Sequence, residues 1–308
     1  MSTLTVLTKS YLPDIGGFER LHESVLRFTD PEVRHDVVVP GREVAAFEAV
    51  GRRLGSARLR VIAERELLPS SFVQTGMVAR AVSRVGFLPA GARITAINRS
   101  RPWPPIRGWI MQQVIKLAAA AASETDVVVV IDSDVELIRP IDATTFMRDG
   151  VVRTYRRPGA ITPDMVRHVE WSHTARRLLG VPDGSPPFDD YIAGLISWDP
   201  DIVRRSTARV QEVHGQPWQT SIAGLLHFSE NILYGTYLTT LATQVERSFC
   251  EDDTLCHSYW GTAPLQMSDV DAFVAGLKPS DVAVHVQSAS GTSDAVLSRL
   301  LQELRREG

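Results

Sequence analysis

The chain has 308 residues, 44% of them hydrophobic and 22% charged, with 33 Lys and Arg against 36 Asp and Glu for a net charge of −3. That length suits one large α/β domain, the composition excludes a disordered chain, and the near-neutral balance excludes bulk attraction to nucleic acid or to an anionic membrane. Cys250 and Cys256 are too few for a disulfide framework or a Cys-based zinc site, and the most membrane-like run, Val114–Ser123, is short and interrupted by Lys116.

In chain order, Leu4–Thr8 reads as a first strand and Asp14-Ile15-Gly16-Gly17 as a turn into a helix over Phe18–Phe28, whose Phe18, Leu21, Val25 and Phe28 recur at helical spacing. His35–Val39, stopped by Pro40, is a second strand, Val44–Leu54 a helix and Leu59–Ile62 a third strand. This β-α-β-α-β order predicts a parallel sheet with helical crossovers. Gly86–Pro105, broken by Pro102, Pro104 and Pro105, reads as a substrate-facing loop, flanked by Arg99, Arg101 and Arg107. A helix from Arg107 to Ala122 then delivers the chain to Val127–Ile131. Beyond it we expect a strand at Gly150–Tyr155, a helix over Asp164–Leu179, a strand over Tyr191–Trp198, helices over Asp201–Val213 and Ser229–Thr240, a strand at Val282–Val286 and a closing helix over Ser293–Arg306. Neither a repeat nor a low-complexity linker interrupts this order. The expected organisation is a single domain over 1–308, with a ligand-binding half to about residue 140 and an elaborated second half.

The most informative segment is Val-Val-Val-Val-Ile-Asp-Ser-Asp at 127–134. A run of β-branched residues suits a strand buried on both faces, and carboxylates just past it fall in the crevice where open α/β sheets bind ligands. Two readings of Asp132, Ser133 and Asp134 stand: hard oxygen ligands for Mg²⁺ or Mn²⁺, or a helix cap or turn. Glu230, after Ser229, is either a positioned proton acceptor or an ordinary first-turn acid behind a capping serine. Asp190, next to Asp189, is a second acid that faces a site only if its neighbour does not. Lys116 on the preceding helix is a candidate ligand contact. His257 and His285 compete as a histidine ligand; the apolar strand around His285 favours a core role for it. Trp171, Tyr191, Trp198, Trp218, Tyr234 and Tyr259 are core by default, with some available to stack on a sugar ring.

Taken in order, Leu7-Thr8-Lys9-Ser10-Tyr11, the Trp109–Leu117 helix, Asp132-Ser133-Asp134 followed by Val135–Pro140, and Leu255–Pro264 resemble nucleotide-sugar-dependent glycosyltransferases of the GT-A fold, in particular a bacterial group known mainly from sequence. The resemblance spans most of residues 3–265. It implies a Rossmann-like, mostly parallel α/β sheet with helices on both faces and an acceptor-binding second half. It further implies a nucleotide-diphosphate sugar donor, a UDP-sugar for preference, bound near Thr8, Lys9, Tyr11, Lys116, Asp132 and Ser133. Mn²⁺ or Mg²⁺ would be held by Asp132, Asp134 and His257, the last from an element resembling His-x-x-Gly-x-x-Lys-Pro, with Ala263 where that element carries lysine. Glu230, or else Asp190, would position or deprotonate the hydroxyl of a carbohydrate, glycolipid or small-molecule acceptor. No nucleic-acid partner is expected, and the expected location is the cytoplasm or the inner face of the membrane. A nucleotidyltransferase shares the sheet and the metal carboxylates, but its glycine-rich basic loop has no counterpart in Thr8–Asp14. A non-catalytic carbohydrate-binding protein is the third reading.

Overall fold

The computed structural model describes residues 2–74 and 94–307. Its centre is a five-stranded sheet built from β1 (Leu4–Lys9), β2 (Arg34–Val39), β3 (Leu59–Ala63), a strand at Val127–Ile131 and one at Leu195–Trp198. In space the order is Leu195–Trp198, Val127–Ile131, β1, β2, β3. All pairings are parallel except the outermost, where Leu195–Trp198 runs antiparallel to Val127–Ile131. The expected α/β class and mostly parallel sheet are therefore what the chain forms.

The four valines explain the layering. Side chains alternate across a strand, so Val127, Val129 and Ile131 join Leu21 and Val25 of helix α1 (Ile15–Phe28) on one face, while Val128 and Val130 join Ile110, Met111 and Val114 on the other. These last three belong to the helix Gly108–Ala121. All five strand residues are at most 6% exposed, so both faces are covered, as the unbroken apolar run predicts.

The chain leaves this sheet through Asp132-Ser133-Asp134 and enters a second one. Val135–Leu137 pairs antiparallel with Ala283–Val286, which pairs in parallel with Cys256–Tyr259. The aspartates thus form the joint between two sheets. Gly194 lets the sheets approach: a Cβ there would lie 3.0 Å from Cys256 Sγ and 3.1 Å from His285 Cβ.

Several expectations shift. Helix α1 begins at Ile15, so Gly16 and Gly17 lie inside it and not in a preceding turn. The physical reason is at Gly17, where a Cβ would sit 2.6 Å from the Ser133 carbonyl oxygen; only glycine lets the helix pack this close to the aspartate turn. The segment read as a loop to Pro105 holds a hairpin, Ile94–Asn98 with Arg101–Arg107, extended by Phe72–Gln74; residues 86–93 of that loop lie outside the described residues. The single strand expected at Gly150–Tyr155 is two short ones, Val151–Val152 and Thr154–Tyr155, and the strand expected from Tyr191 starts at Leu195. No helix among the described residues is long and apolar enough to cross a membrane.

Candidate functional site

The two aspartates point apart. The turn closes with Val135 N donating to the Asp132 carbonyl at 3.1 Å, and it is pinned from below by Ser133 Oγ donating to Ser10 Oγ at 2.8 Å. Asp134 turns toward the second sheet. Its Oδ2 accepts from Ser288 N at 2.9 Å and lies 3.6 Å from His285 Nε2, longer than a hydrogen bond. Burial pushes the Asp134 carboxyl up, but His285 and the Ser288 amide more than offset this and hold it below its ordinary 3.8.

Asp132 turns the other way and is 54% exposed at its side chain. Its Oδ1 lies 2.8 Å from the ammonium of Lys116, which also stands 3.6 Å from Glu230 Oε1. Burial alone would lower the Lys116 pKa, yet the two carboxylates hold it above its ordinary 10.5. Burial likewise drives the Glu230 carboxyl above 4.5, against the pull of Lys116. Glu230 opens the helix Glu230–Thr240, with Ser229 Oγ capping by accepting from Ile232 N at 3.4 Å. The capping and the site readings of this segment are therefore compatible.

The helix Gly108–Ala121 organises this half of the site. Trp109, Gln113 and Lys116 fall at i, i+4 and i+7 and share one stripe. Trp109 Nε1 donates to the Phe228 carbonyl at 3.2 Å, Gln113 Oε1 accepts from Glu230 N at 2.9 Å, and Lys116 meets the Glu230 carboxylate. Three successive contacts therefore dock the segment 228–230.

Asp14, at the start of α1, completes the acidic surroundings. Its carboxyl is pushed up to about 6, chiefly by burial, then by the charges of Asp134 and Asp132 against the opposing pull of Lys9.

Other sequence candidates land elsewhere. Thr8 is fully buried and its Oγ1 is bonded to His35 Nε2 at 3.0 Å, so its hydroxyl is not presented to a ligand. Lys9 turns inward, 3.0 Å from Glu64 Oε1 and donating to the Ser10 carbonyl at 2.7 Å. Tyr11 lies at the surface, 37% exposed. Asp190 accepts from Ile192 N at 3.0 Å; burial raises its carboxyl, with His168 and Arg157 pulling it back. Asp189 points away to Arg156 at 2.7 Å, as adjacent strand residues must.

His257 is not brought to the aspartates. Ser258 pairs with His285 and His257 with Val284, so His257 and His285 point to opposite faces of the sheet. His257 packs against Phe273, its ring tilted 54° to the phenyl and the centroids 4.3 Å apart. The histidine beside Asp134 is His285: it is 4% exposed, its Nε2 faces Asp134, and its Nδ1 is buried without a partner. Trp260 covers it, with ring centroids 4.4 Å apart.

The Asp134 carboxylate and the His285 Nε2 that faces it form a mixed oxygen and nitrogen pair of the kind that suits Mn²⁺ better than Mg²⁺. They are two ligands only: among the described residues no three His, Cys, Asp or Glu side chains converge as a metal site, and Asp132 is engaged by Lys116. Gln113, Trp109 and Asp14, which border this arrangement, carried no site expectation from the sequence, and His285 in place of His257 lies beside Asp134. The Trp109-x₃-Gln113-x₂-Lys116 spacing was the available signal for the first two.

Residues 3–305 match a family model described as a family of unknown function. No curated protein matches the sequence. Among solved structures, the galactosyltransferase LgtC in complex with donor and acceptor sugar analogues is 14% identical, over 98% of this chain and 95% of that one, with a TM-score of 0.45. Mouse xyloside xylosyltransferase 1 is 15% identical over 92% of this chain and 96% of that one, with a TM-score of 0.42. Glucosyl-3-phosphoglycerate synthase from Mycobacterium tuberculosis, in complex with Mn²⁺, UDP and glucosyl-3-phosphoglycerate, is 18% identical over 65% of this chain and 58% of that one, with a TM-score of 0.35. These are distant likenesses, and none of the three lends its activity to this chain.

Proposed function

The chain belongs to the DUF6492 family, for which no activity is described, and we propose from its own side chains that it is a glycosyltransferase using a nucleotide-diphosphate sugar. The observation that carries this reading is the divergence of Asp132 and Asp134 beyond the carboxyl end of a central parallel strand, one toward a buried Lys–Glu pair and the other toward a buried histidine. A diphosphate sugar needs both of these surroundings, a polar cradle for hydroxyls and a place for charge.

Asp134 and His285 are the residues that would hold a divalent ion. Such an ion supplies Lewis-acid stabilisation of the departing nucleoside diphosphate. Asp132, fixed by Lys116 and open to solvent, accepts hydrogen bonds from sugar hydroxyls. The buried ammonium of Lys116 is tied to both carboxylates and orients Asp132 and Glu230 together. Glu230, with its raised proton affinity, is the group suited to orient or deprotonate an acceptor hydroxyl. Asp190 stays available on the acceptor side. A UDP-sugar is the preferred donor and Mn²⁺ the preferred ion.

Thermal shift with UDP-, GDP- and dTDP-sugars, each with and without Mn²⁺, tests the reading. One donor should stabilise the fold, by about 2.7 kcal/mol at a hundredfold excess over its dissociation constant, and more strongly with Mn²⁺. No shift with any of them would sink the proposal in favour of a non-catalytic carbohydrate-binding protein. The ligand assignment has its own check in the Mn²⁺ concentration needed for half the effect. It should rise at least tenfold in Asp134→Asn and His285→Ala and stay unchanged in His257→Ala. A response to His257→Ala and none to His285→Ala would restore the sequence assignment.

A further inference from the structure

Trp109 is 43% exposed although it is firmly held at the mouth of the site. Its indole N–H is spent on the Phe228 carbonyl at 3.2 Å. Its ring lies nearly parallel to Trp171, with 18° between planes and centroids 6.1 Å apart, and Trp171 packs against His168 at 4.7 Å. Trp171 is buried, so the stack backs Trp109 and leaves it a rigid apolar face open to solvent. Unlike the more exposed Trp103 and Trp260, Trp109 is fixed by both a hydrogen bond and a ring stack and stands on the helix that carries Lys116. His168 in turn has the half-buried carboxylate of Asp190 as a charged neighbour.

Resting on the glycosyltransferase reading, we propose that Trp109 is the stacking platform for a sugar ring of the acceptor, with Asp190 and His168 taking that ring's hydroxyls. The acceptor is then a carbohydrate of at least two linked rings. Along the helix, Trp109 and Lys116 are seven residues apart, about 10 Å at 1.5 Å per residue. A second ring linked to one lying on Trp109 spans about that distance, and Asp132 is the solvent-open member of the Asp132, Lys116 and Glu230 group that it would meet. An exposed aromatic face backed by a buried ring, with His168 on that ring and Asp190 as the charged neighbour of His168, matches a pyranose, which has an apolar C–H face and a polar rim.

The test is saccharide binding without any nucleotide. The wild-type chain is applied to an array of mono- and oligosaccharides, and its ligands are then titrated by tryptophan fluorescence. Oligosaccharides should bind better than their monosaccharides, Trp109→Ala should weaken binding about tenfold and Trp109→Phe less, and Asp190→Asn should weaken it without changing the tryptophan signal of the free protein. Melting temperatures of the variants separate lost binding from lost folding; Trp109→Phe keeps the stack if Trp109→Ala does not fold. A chain that is stabilised by a nucleotide sugar yet binds no saccharide, or binds one equally well in both Trp109 variants, overturns the platform and leaves the glycosyltransferase reading standing. Saccharide binding that depends on Trp109 in a chain that no nucleotide sugar stabilises keeps the platform and overturns the donor reading.

Discussion

Lys116→Met should destabilise the folded chain by about 3–5 kcal/mol, the range for removing one partner of a buried ion pair. Methionine nearly matches the aliphatic stem, so little of this is cavity; what is lost is the ammonium. The consequences for its two partners differ. Asp132, 54% exposed, can rehydrate, whereas Glu230 is 5% exposed and is left as a buried carboxylate with no cation. Glu230 then responds by binding a proton. A carboxyl whose folded-state pKa rises above its unfolded value loses stability as pH rises through that window, so the deficit of Lys116→Met should be larger at pH 8 than at pH 5. Adding Glu230→Gln should return most of the stability, because a neutral amide needs no counter-charge. Urea unfolding of the two single variants and the double variant gives the coupling energy directly. Additive costs would mean that the lysine and the glutamate are neighbours without being partners. Activity is a separate readout: none of the three variants should retain more than a trace, since the hydroxyl-binding geometry of Asp132 depends on Lys116.

Acid should weaken the fold through a buried histidine pair. His22 Nδ1 and His35 Nδ1 share a hydrogen bond at 3.0 Å, and His35 Nε2 bonds Thr8 Oγ1. Both rings are fully buried, packed against Phe18 at 6.1 and 5.3 Å. Burial, and then the charge of Arg58, pushes His22 from 6.5 down to about 4; burial and the neighbouring His22 and Arg58 charges push His35 well below its ordinary value. The unfolded chain therefore takes up protons near pH 6.5 while the folded one does not. Stability is present above that pH and falls as the medium is acidified toward 4. For His22 the loss is roughly 3 kcal/mol, since each pH unit separating its unfolded and folded titration is worth about 1.36 kcal/mol. Asp14 works in the opposite sense between about pH 6 and 3.8, since its raised carboxyl lets the folded state bind a proton first. Wild-type curves alone mix the two. The informative quantity is the difference between wild type and His22→Leu/His35→Leu, followed by chemical denaturation from pH 7 to 4. The variant should lose stability less steeply, and equal slopes would show that the pair is not what acid attacks.

What the sequence makes legible follows from what is local. The five residues Val127–Ile131 announce a doubly covered strand without help from any other segment, and helical spacing places Lys116 and Glu230 at helix positions that the fold keeps. What it hides is set by pairing. His285 and not His257 meets Asp134 because its strand is the one paired with Val135–Leu137, opposite Val135, while His257 lies one strand further out and on the other face. Thr8 and Lys9 look like mouth residues because they end a strand, yet the first is turned inward by His35 and the second by Glu64. The prolines at 104 and 105 suggest a loop because proline cannot donate to a ladder, but Arg101–Arg107 is an edge strand, where an unpaired position costs nothing. Gly17 reads as a turn residue, and the need for it arises 116 positions away, in the carbonyl of Ser133.

The aspartate turn has a mechanical side as well. Asp132 answers to a helix packed on the first sheet, and Asp134 to a strand of the second. A molecule grasped by both carboxylates is consequently a cross-link between two layers, added to the three-residue turn, the packing around Gly194 and the apolar core that the two sheets share. Loading the site and reinforcing the joint between the sheets are then one event.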